Sequence, residues 1–211
     1  MYFSLKEFTS KIVMNVPVVG TFVVMAPKPR LSVDGVVGSA VELVDRDGYD
    51  ALSLSAVAGE LSVAPSALYT YCNGLDGLRN MVAVAATNNL TGRLRNAAIG
   101  NAGEAALTAM SDAYRGFALD HPGQFASTLR PPEVGNDDFA AASTSLLDIF
   151  VLVYLAMGLD DDRSRLAARS THSALHGFLA IEHTSGTTPE HSDEYRHLVE
   201  LLRSGLVRPS S

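Results

Sequence analysis

The chain has no tryptophan, one cysteine and few aromatic residues, 7% of the total. A lone cysteine, Cys72, excludes an intramolecular disulfide framework and fits a reducing compartment, so a cytoplasmic location is expected. Basic charge is scarce, with 16 Lys and Arg against 23 Asp and Glu and a net charge of −7. That balance argues against a broadly polyanion-binding surface but leaves local patches open. There is no internal repeat, and no alternating strand pattern of useful length follows residue 30. Nor is there a nucleophile with a base partner, a phosphate-cradling loop or a zinc-type cysteine cluster. No catalysis, cofactor or metal site is therefore expected. His172 and His176 are four apart and, with His121 or His183, would suit a metal. A helix-buried histidine satisfied by one hydrogen bond is the more ordinary fate.

An unbroken apolar run is missing too. "KIVMNVPVVGTFVVMA", residues 11–26, is interrupted by Pro17 and Gly20 and falls short of the roughly 20 residues that span a bilayer. No membrane partner is expected. Lys6 and Lys11 ahead of that run, with the small Ala26 after it, leave an export signal as an alternative. The preferred expectation treats residues 1–30 as an extension outside the fold, disordered or a mis-assigned start, with Met25 as the true beginning.

What the chain does have is helical periodicity and frequent helix breakers. Val33, Val37, Val41 and Val44, with Ala40 alongside, predict an apolar stripe on a first helix that Ser32 caps and Gly48 ends. A second helix starts behind Ser53 and presents Leu54, Val57, Ala58 and Leu61. Pro65 opens a third at a first-turn position, where its missing N–H has no helical partner anyway. After "CNGLDG" a fourth helix is expected near Asp76. Breakers at 121–123, 131–138, 158–162 and 185–193 divide the remainder into longer helices, clearest over 139–157 and about 162–183. The fold class is all-α.

Three short helices in about 45 residues, the last two joined by a tight turn, form a helix-turn-helix arrangement. The detail in "DRDGYDALSLSAVAGELSVAPSALYTY" sharpens it. Gly48, Leu52, Ser53, Val57, Ala58, Leu61, Val63, Leu68, Tyr69, Tyr71 and Leu78 fall where the TetR family of regulators has its DNA-binding pattern, and this segment resembles that family over about residues 31–82. "AYRGFALDHPGQF" and "SALHGFLAIE" resemble the C-terminal domain of a TetR subgroup with a Trp-His-Gly signature. Here His176–Gly177 stands without the tryptophan.

The resemblance implies a helix-turn-helix domain over 31–80 and a helical ligand-binding and dimerisation domain over 81–207. It implies a homodimeric, ligand-responsive regulator, most simply a repressor, that binds a double-stranded DNA operator and leaves it when a small apolar molecule binds. Pro65, Ser66, Ala67, Tyr69 and Thr70 would face base edges and phosphates in the major groove. Ser53 would offer a phosphate its hydroxyl and a helix N-terminus. Ser55 and Tyr71 complete the expected DNA-facing set, with Lys28 and Arg30 on an arm that reaches the minor groove. The effector would sit near Phe117, His121, Phe125, Phe150, Tyr154, His176 and Phe178. Dimerisation would use two late helices, about 162–183 with 138–157 or 192–205.

Several departures from the family pattern bear on affinity. Leu75 stands where a phosphate-reaching lysine is usual, Ser55 where an arginine often sits, and Ser62 where a turn glycine is usual. Residues 31–80 carry two basic side chains, Arg46 and Arg79, against seven acidic ones, Asp34, Glu42, Asp45, Asp47, Asp50, Glu60 and Asp76. The alternative is thus a helical ligand-binding or interaction protein whose helix-turn-helix binds DNA weakly or not at all.

Overall fold

A computed structural model describes residues 31–129, 137–185 and 192–205, and every regular element among them is helical. The extension 1–30, with Lys28 and Arg30, lies outside the described residues.

Helix α1 (Val33–Asp47) begins where Ser32 Oγ accepts from the Gly35 N–H at 3.1 Å and ends at Gly48, whose φ of +86° disfavours any other residue. The stripe it buries is Val36, Ala40, Leu43 and Val44. This corrects the expectation for Val33, Val37 and Val41, which stay exposed or half-buried. Both stripes are apolar at helical spacing, and docking, which periodicity does not encode, selects between them. A single 3-10 turn at Tyr49–Ala51 leads to α2 (Leu54–Glu60), capped by Ser53 Oγ accepting from the Ala56 N–H at 3.2 Å.

The segment Pro65–Thr70 winds as a 3-10 helix rather than the α-helix expected there. Pro65 sets its start, and the chain breaks again by Asn73–Gly74. The turn before it passes through Ser62 at φ +55°, a left-handed conformation that is uncommon for a residue with a side chain. Helix α3 (Gly74–Ala98) starts two residues earlier than predicted.

Helix α3 joins two apolar cores. Leu78 and Val82 close the first, with Val36, Val44, Val57 and Leu68. Ala86, Leu90 and Leu94 belong to the second. The helix therefore runs straight through the expected boundary at residues 80 and 81. It packs against α1 on one side and the later helices on another, while Asp76, Asn88, Asn89, Arg95 and Asn96 remain exposed. It even buries Thr87 and Thr91, whose hydroxyls donate back to the Ala83 and Thr87 carbonyls at 2.8 and 2.7 Å.

Around the second core pack α4 (Gly103–Asp120), α5 (Pro122–Thr128), α6 (Asp137–Ala156), α7 (Asp161–Ser185) and α8 (Ser192–Gly205). By length and composition α6 alone among the described helices would cross a membrane, yet Leu146, Phe150 and Tyr154 on it are core residues. Two tyrosine hydroxyls of this core are matched: that of Tyr154 meets Thr171 Oγ1 at 2.6 Å, and that of Tyr195 donates to the Ser111 carbonyl at 2.6 Å.

Candidate nucleic-acid interface and its coupling seam

The first core holds α2 and the 3-10 segment against α1 and α3, and this fixes which side chains face outward. Leu68 is fully buried and acts as the anchor. Pro65, Ser66, Tyr69 and Thr70 are exposed around it, with Ala67 half-buried. Tyr69 is 64% exposed, with its ring and hydroxyl both available. Ser53 and Ser55 flank this edge at the start of α2, and the Ser53 oxygen is already engaged as a cap. Tyr71 is half-buried, and its ring packs against the first core. Leu75 packs there as well, so this position supports the core instead of offering a vacant phosphate contact.

The exposed edge carries no cation, and no lysine follows Lys28 in the chain. Both arginines of this region already face carboxylates. Arg46 Nη2 lies 2.8 Å from Asp47 and 2.7 Å from Glu60, and Arg79 Nη1 lies 3.0 Å from Asp76. These are exposed pairs of small net worth, so a phosphate can compete for them. Cys72 is buried, its thiol donates weakly to the Leu68 carbonyl at 3.4 Å, and burial raises its pKa. It is a core filler.

A polar seam ties this region to the helical bundle. The Asp45 carboxylate, near the end of α1, receives the Gln124 N–H at 3.1 Å and Gln124 Nε2 at 2.6 Å. It also lies 2.7 Å from His121 Nδ1. On its other side His121 Nε2 faces Arg93 Nη2 at 2.6 Å. Because arginine only donates, Nε2 accepts and Nδ1 carries the proton offered to Asp45. Arg93 also reaches Asp120 at 3.0 Å, and Asn89 donates to Gln124 Oε1 at 3.1 Å. Gly123 lies against the α1 backbone so closely that a Cβ there would stand 1.8 Å from the Val44 carbonyl oxygen. His121, expected near the effector, makes its hydrogen bonds in this seam. Asp45, Arg93 and Gln124 were not anticipated; the only sequence signal was "HPGQ", a helix start followed by a polar residue.

The remaining expected effector residues do come together, but as packed core. Phe117, Phe125, Phe150 and Tyr154 are fully buried, while His176 and Phe178 are half-buried. Tyr114, unforeseen, meets His172 Nε2 at 3.2 Å and His176 Nδ1 at 2.9 Å. Burial pushes the His172 pKa down to about 4, helped by the neighbouring His176, which burial also lowers. No cluster able to hold a metal occurs among the described residues.

The His172 shift has a thermodynamic consequence. The folded protein keeps the ring neutral, whereas the unfolded chain protonates near the ordinary histidine value. Stability is therefore highest above about pH 6.5 and falls toward pH 4, by an amount on the order of 3 kcal/mol. Urea unfolding at pH 7.5 and 5.0 checks this. Wild type should lose more stability on acidification than His172→Gln does.

The comparisons agree with this architecture. The family described as "Tetracyclin repressor-like, C-terminal domain" matches residues 107–203. HTH-type transcriptional regulator Rv0681 of Mycobacterium tuberculosis is 30% identical over 186 residues, covering 87% of this chain and 85% of that protein. HTH-type transcriptional regulator YobS of Bacillus subtilis is 27% identical, over 74% and 82% of the two chains. The crystal structure of Mycobacterium smegmatis BioQ shares the fold at a TM-score of 0.65 and 21% identity, over 83% of this chain and 98% of that one. This chain belongs to the TetR family of helix-turn-helix transcriptional regulators. It is accordingly a DNA-binding regulator by class rather than a member of an enzyme family.

Proposed function

We propose that the protein is a homodimeric, cytoplasmic repressor that binds a roughly palindromic operator and is released from it by a small molecule. The observation that carries this reading is the exposed edge Pro65–Thr70, held outward by the buried Leu68. Its chemistry is hydroxyl and apolar: Tyr69, Ser66 and Thr70 donate to phosphates or base edges, while Pro65 and Ala67 pack on thymine methyl groups. Two structures of the same fold support the two halves of the reading. One is BioQ with its double-stranded DNA operator, at 23% identity and a TM-score of 0.62. The other is FadR of Bacillus subtilis in complex with stearoyl-CoA, at 16% identity and a TM-score of 0.67.

The division into 31–80 and 81–207 is retained as a functional one, with the seam around Asp45 as the joint between a DNA-reading head and a regulatory bundle. Dimerisation is assigned to α6 and α7, where Leu152, Leu155, Leu166 and Ile181 are exposed apolar residues. The "HPGQF" and "HG" segments support membership of the Trp-His-Gly subgroup. An effector entering the bundle near Phe117, Phe125, Phe150, Tyr154, His176 and Phe178 would have to open a closed core. It switches the protein only if it favours a head arrangement that the operator does not fit.

The test is a Tyr69→Ala variant measured on DNA flanking the protein's own gene. Affinity should fall at least about tenfold, the effect of losing one well-placed contact per half-site. The melting temperature should hold, because Tyr69 stands clear of the core. Unchanged affinity would remove this edge from the interface.

A further inference from the structure

We propose that His121 is a proton-operated latch on the DNA-reading head: the neutral ring ties α1 to α3, and the protonated ring holds α1 alone. The proposal deepens the repressor reading given above and rests on it.

The latch follows from which atoms donate. In the neutral ring Nδ1–H is offered to Asp45 at 2.7 Å, and the Nε2 lone pair faces Arg93 Nη2 at 2.6 Å. Asp45 lies in the last turn of α1, beside Val44 of the first core, and Arg93 lies on α3 beside Leu94 of the second. One imidazole thus bridges the head and the bundle. A second proton must go to Nε2, the nitrogen that carries the lone pair. Two donors on two cations then face each other at that contact, with no acceptor between them. The bond to Asp45 gains charge and tightens.

Arg93 is the partner with somewhere to go. Its side chain is 35% exposed, and its Nη1 already meets Asp120 of α4 at 3.0 Å. His121 is held in place by Asp45, whose carboxylate also receives Gln124 Nε2 at 2.6 Å. The elements packed around the ring carry further charged or titratable groups. Arg46 and Asp50 of the head and His183 of α7 line the cleft that Asp45 shares with Pro122 and Gly123. Phe117, in the proposed effector region, stands 5.6 Å from the His121 ring and 5.8 Å from the Arg93 guanidinium carbon. Proton and effector therefore bear on one contact. A head tied to both helices samples fewer orientations than one tied to α1 alone, and an operator accepts few of them. Acidification should weaken specific binding.

Fluorescence anisotropy of the full chain on the flanking duplex, at about pH 7.5 and 5.5, reads the latch over the span in which histidines change charge. Wild-type affinity should fall at least about threefold on acidification. General protonation of the chain works the other way, since added positive charge strengthens DNA binding. Arg93→Gln removes the conflict, because an amide donates to a bare Nε2 and accepts from a protonated one. His121→Asn keeps a donor for Asp45 on a side chain that does not titrate. Neither variant should lose affinity on acidification. A wild-type affinity that holds or rises, or a fall that persists in either variant, would overturn the proposal. Nitrogen-15 NMR of wild type labelled at histidine and arginine needs neither variant nor DNA. The His121 ring should pass from the Nδ1–H tautomer to the doubly protonated form while the Arg93 side-chain N–H signals lose protection from exchange. Protection retained beside a doubly protonated ring would also overturn it. Absent operator binding at both pH values defeats the repressor reading, and the NMR result then decides the latch by itself.

Discussion

Replacing Gly123 by alanine is expected to cost about 3 kcal/mol of stability, a fall of roughly 6–12 °C in melting temperature, and to weaken operator binding as well. The added Cβ would lie 1.8 Å from the Val44 carbonyl oxygen and 2.3 Å from the carbonyl carbon. Both are backbone atoms of α1, so no side chain can swing aside. Either α5 or the end of α1 must retreat by more than an ångström. The hydrogen bonds that Asp45 receives from Gln124, at 3.1 and 2.6 Å, cannot follow. Asp45→Ala should be destabilising by itself, since it strands buried donors around Gln124. In the Gly123→Ala background that penalty should largely vanish, because the seam is already open. Chemical denaturation of the two single variants and the double variant measures this coupling. Strict additivity would show that Gly123 and Asp45 do not serve one contact.

The second large effect lies inside the bundle. Arg115 Nη2 and Glu182 Oε1 are 2.6 Å apart, with side chains only 14% and 7% exposed. The guanidinium also stands over the Tyr195 ring, 5.3 Å from its centroid. Its hydrogen bond to Glu182 raises the Arg115 pKa. Arg115→Met should destabilise by about 3–5 kcal/mol, since it leaves a carboxylate buried without its partner. Arg115→Met combined with Glu182→Met should recover most of that loss, because the desolvation cost of both charges disappears together. Urea denaturation of wild type and the two variants decides it. A double variant as unstable as the single one would mean that the pair contributes more than its own neutralisation.

Much of this architecture was legible in the sequence, and the gaps have physical causes. The caps Ser32 and Ser53, the stop at Gly48 and the anchor Leu68 act through local backbone chemistry, so reading neighbours in sequence was enough. The α1 stripe was mistaken because Val33, Val37 and Val41 are as apolar as Val36, Ala40 and Leu43, and only docking separates them. The uncovered stripe stays exposed or half-buried, which no periodicity could have signalled. Pro65–Thr70 was expected as an α-helix because its motif fits one, yet the chain on either side constrains it to 3-10 winding. His121 is placed near the effector by the family resemblance, which does not foresee its hydrogen bond to Asp45. Its partner Asp45 lies 76 residues earlier, near the end of α1. Contacts of that separation leave no pattern in one sequence, and "HPG" reads there only as a helix breaker.

The central claim is that a reading edge without cations recognises DNA through hydroxyl and apolar groups. It is tested most directly by fluorescence anisotropy of the full chain on a duplex from the DNA flanking its own gene. A shuffled duplex of the same composition is the control, and both are titrated at several salt concentrations between 50 and 200 mM, values chosen to resolve counterion release. A clear preference for the flanking duplex is expected, with a log–log salt slope no steeper than about −4, since each neutralised phosphate contributes about 0.9. Equal affinity for both duplexes, with a slope far steeper than that, would contradict it.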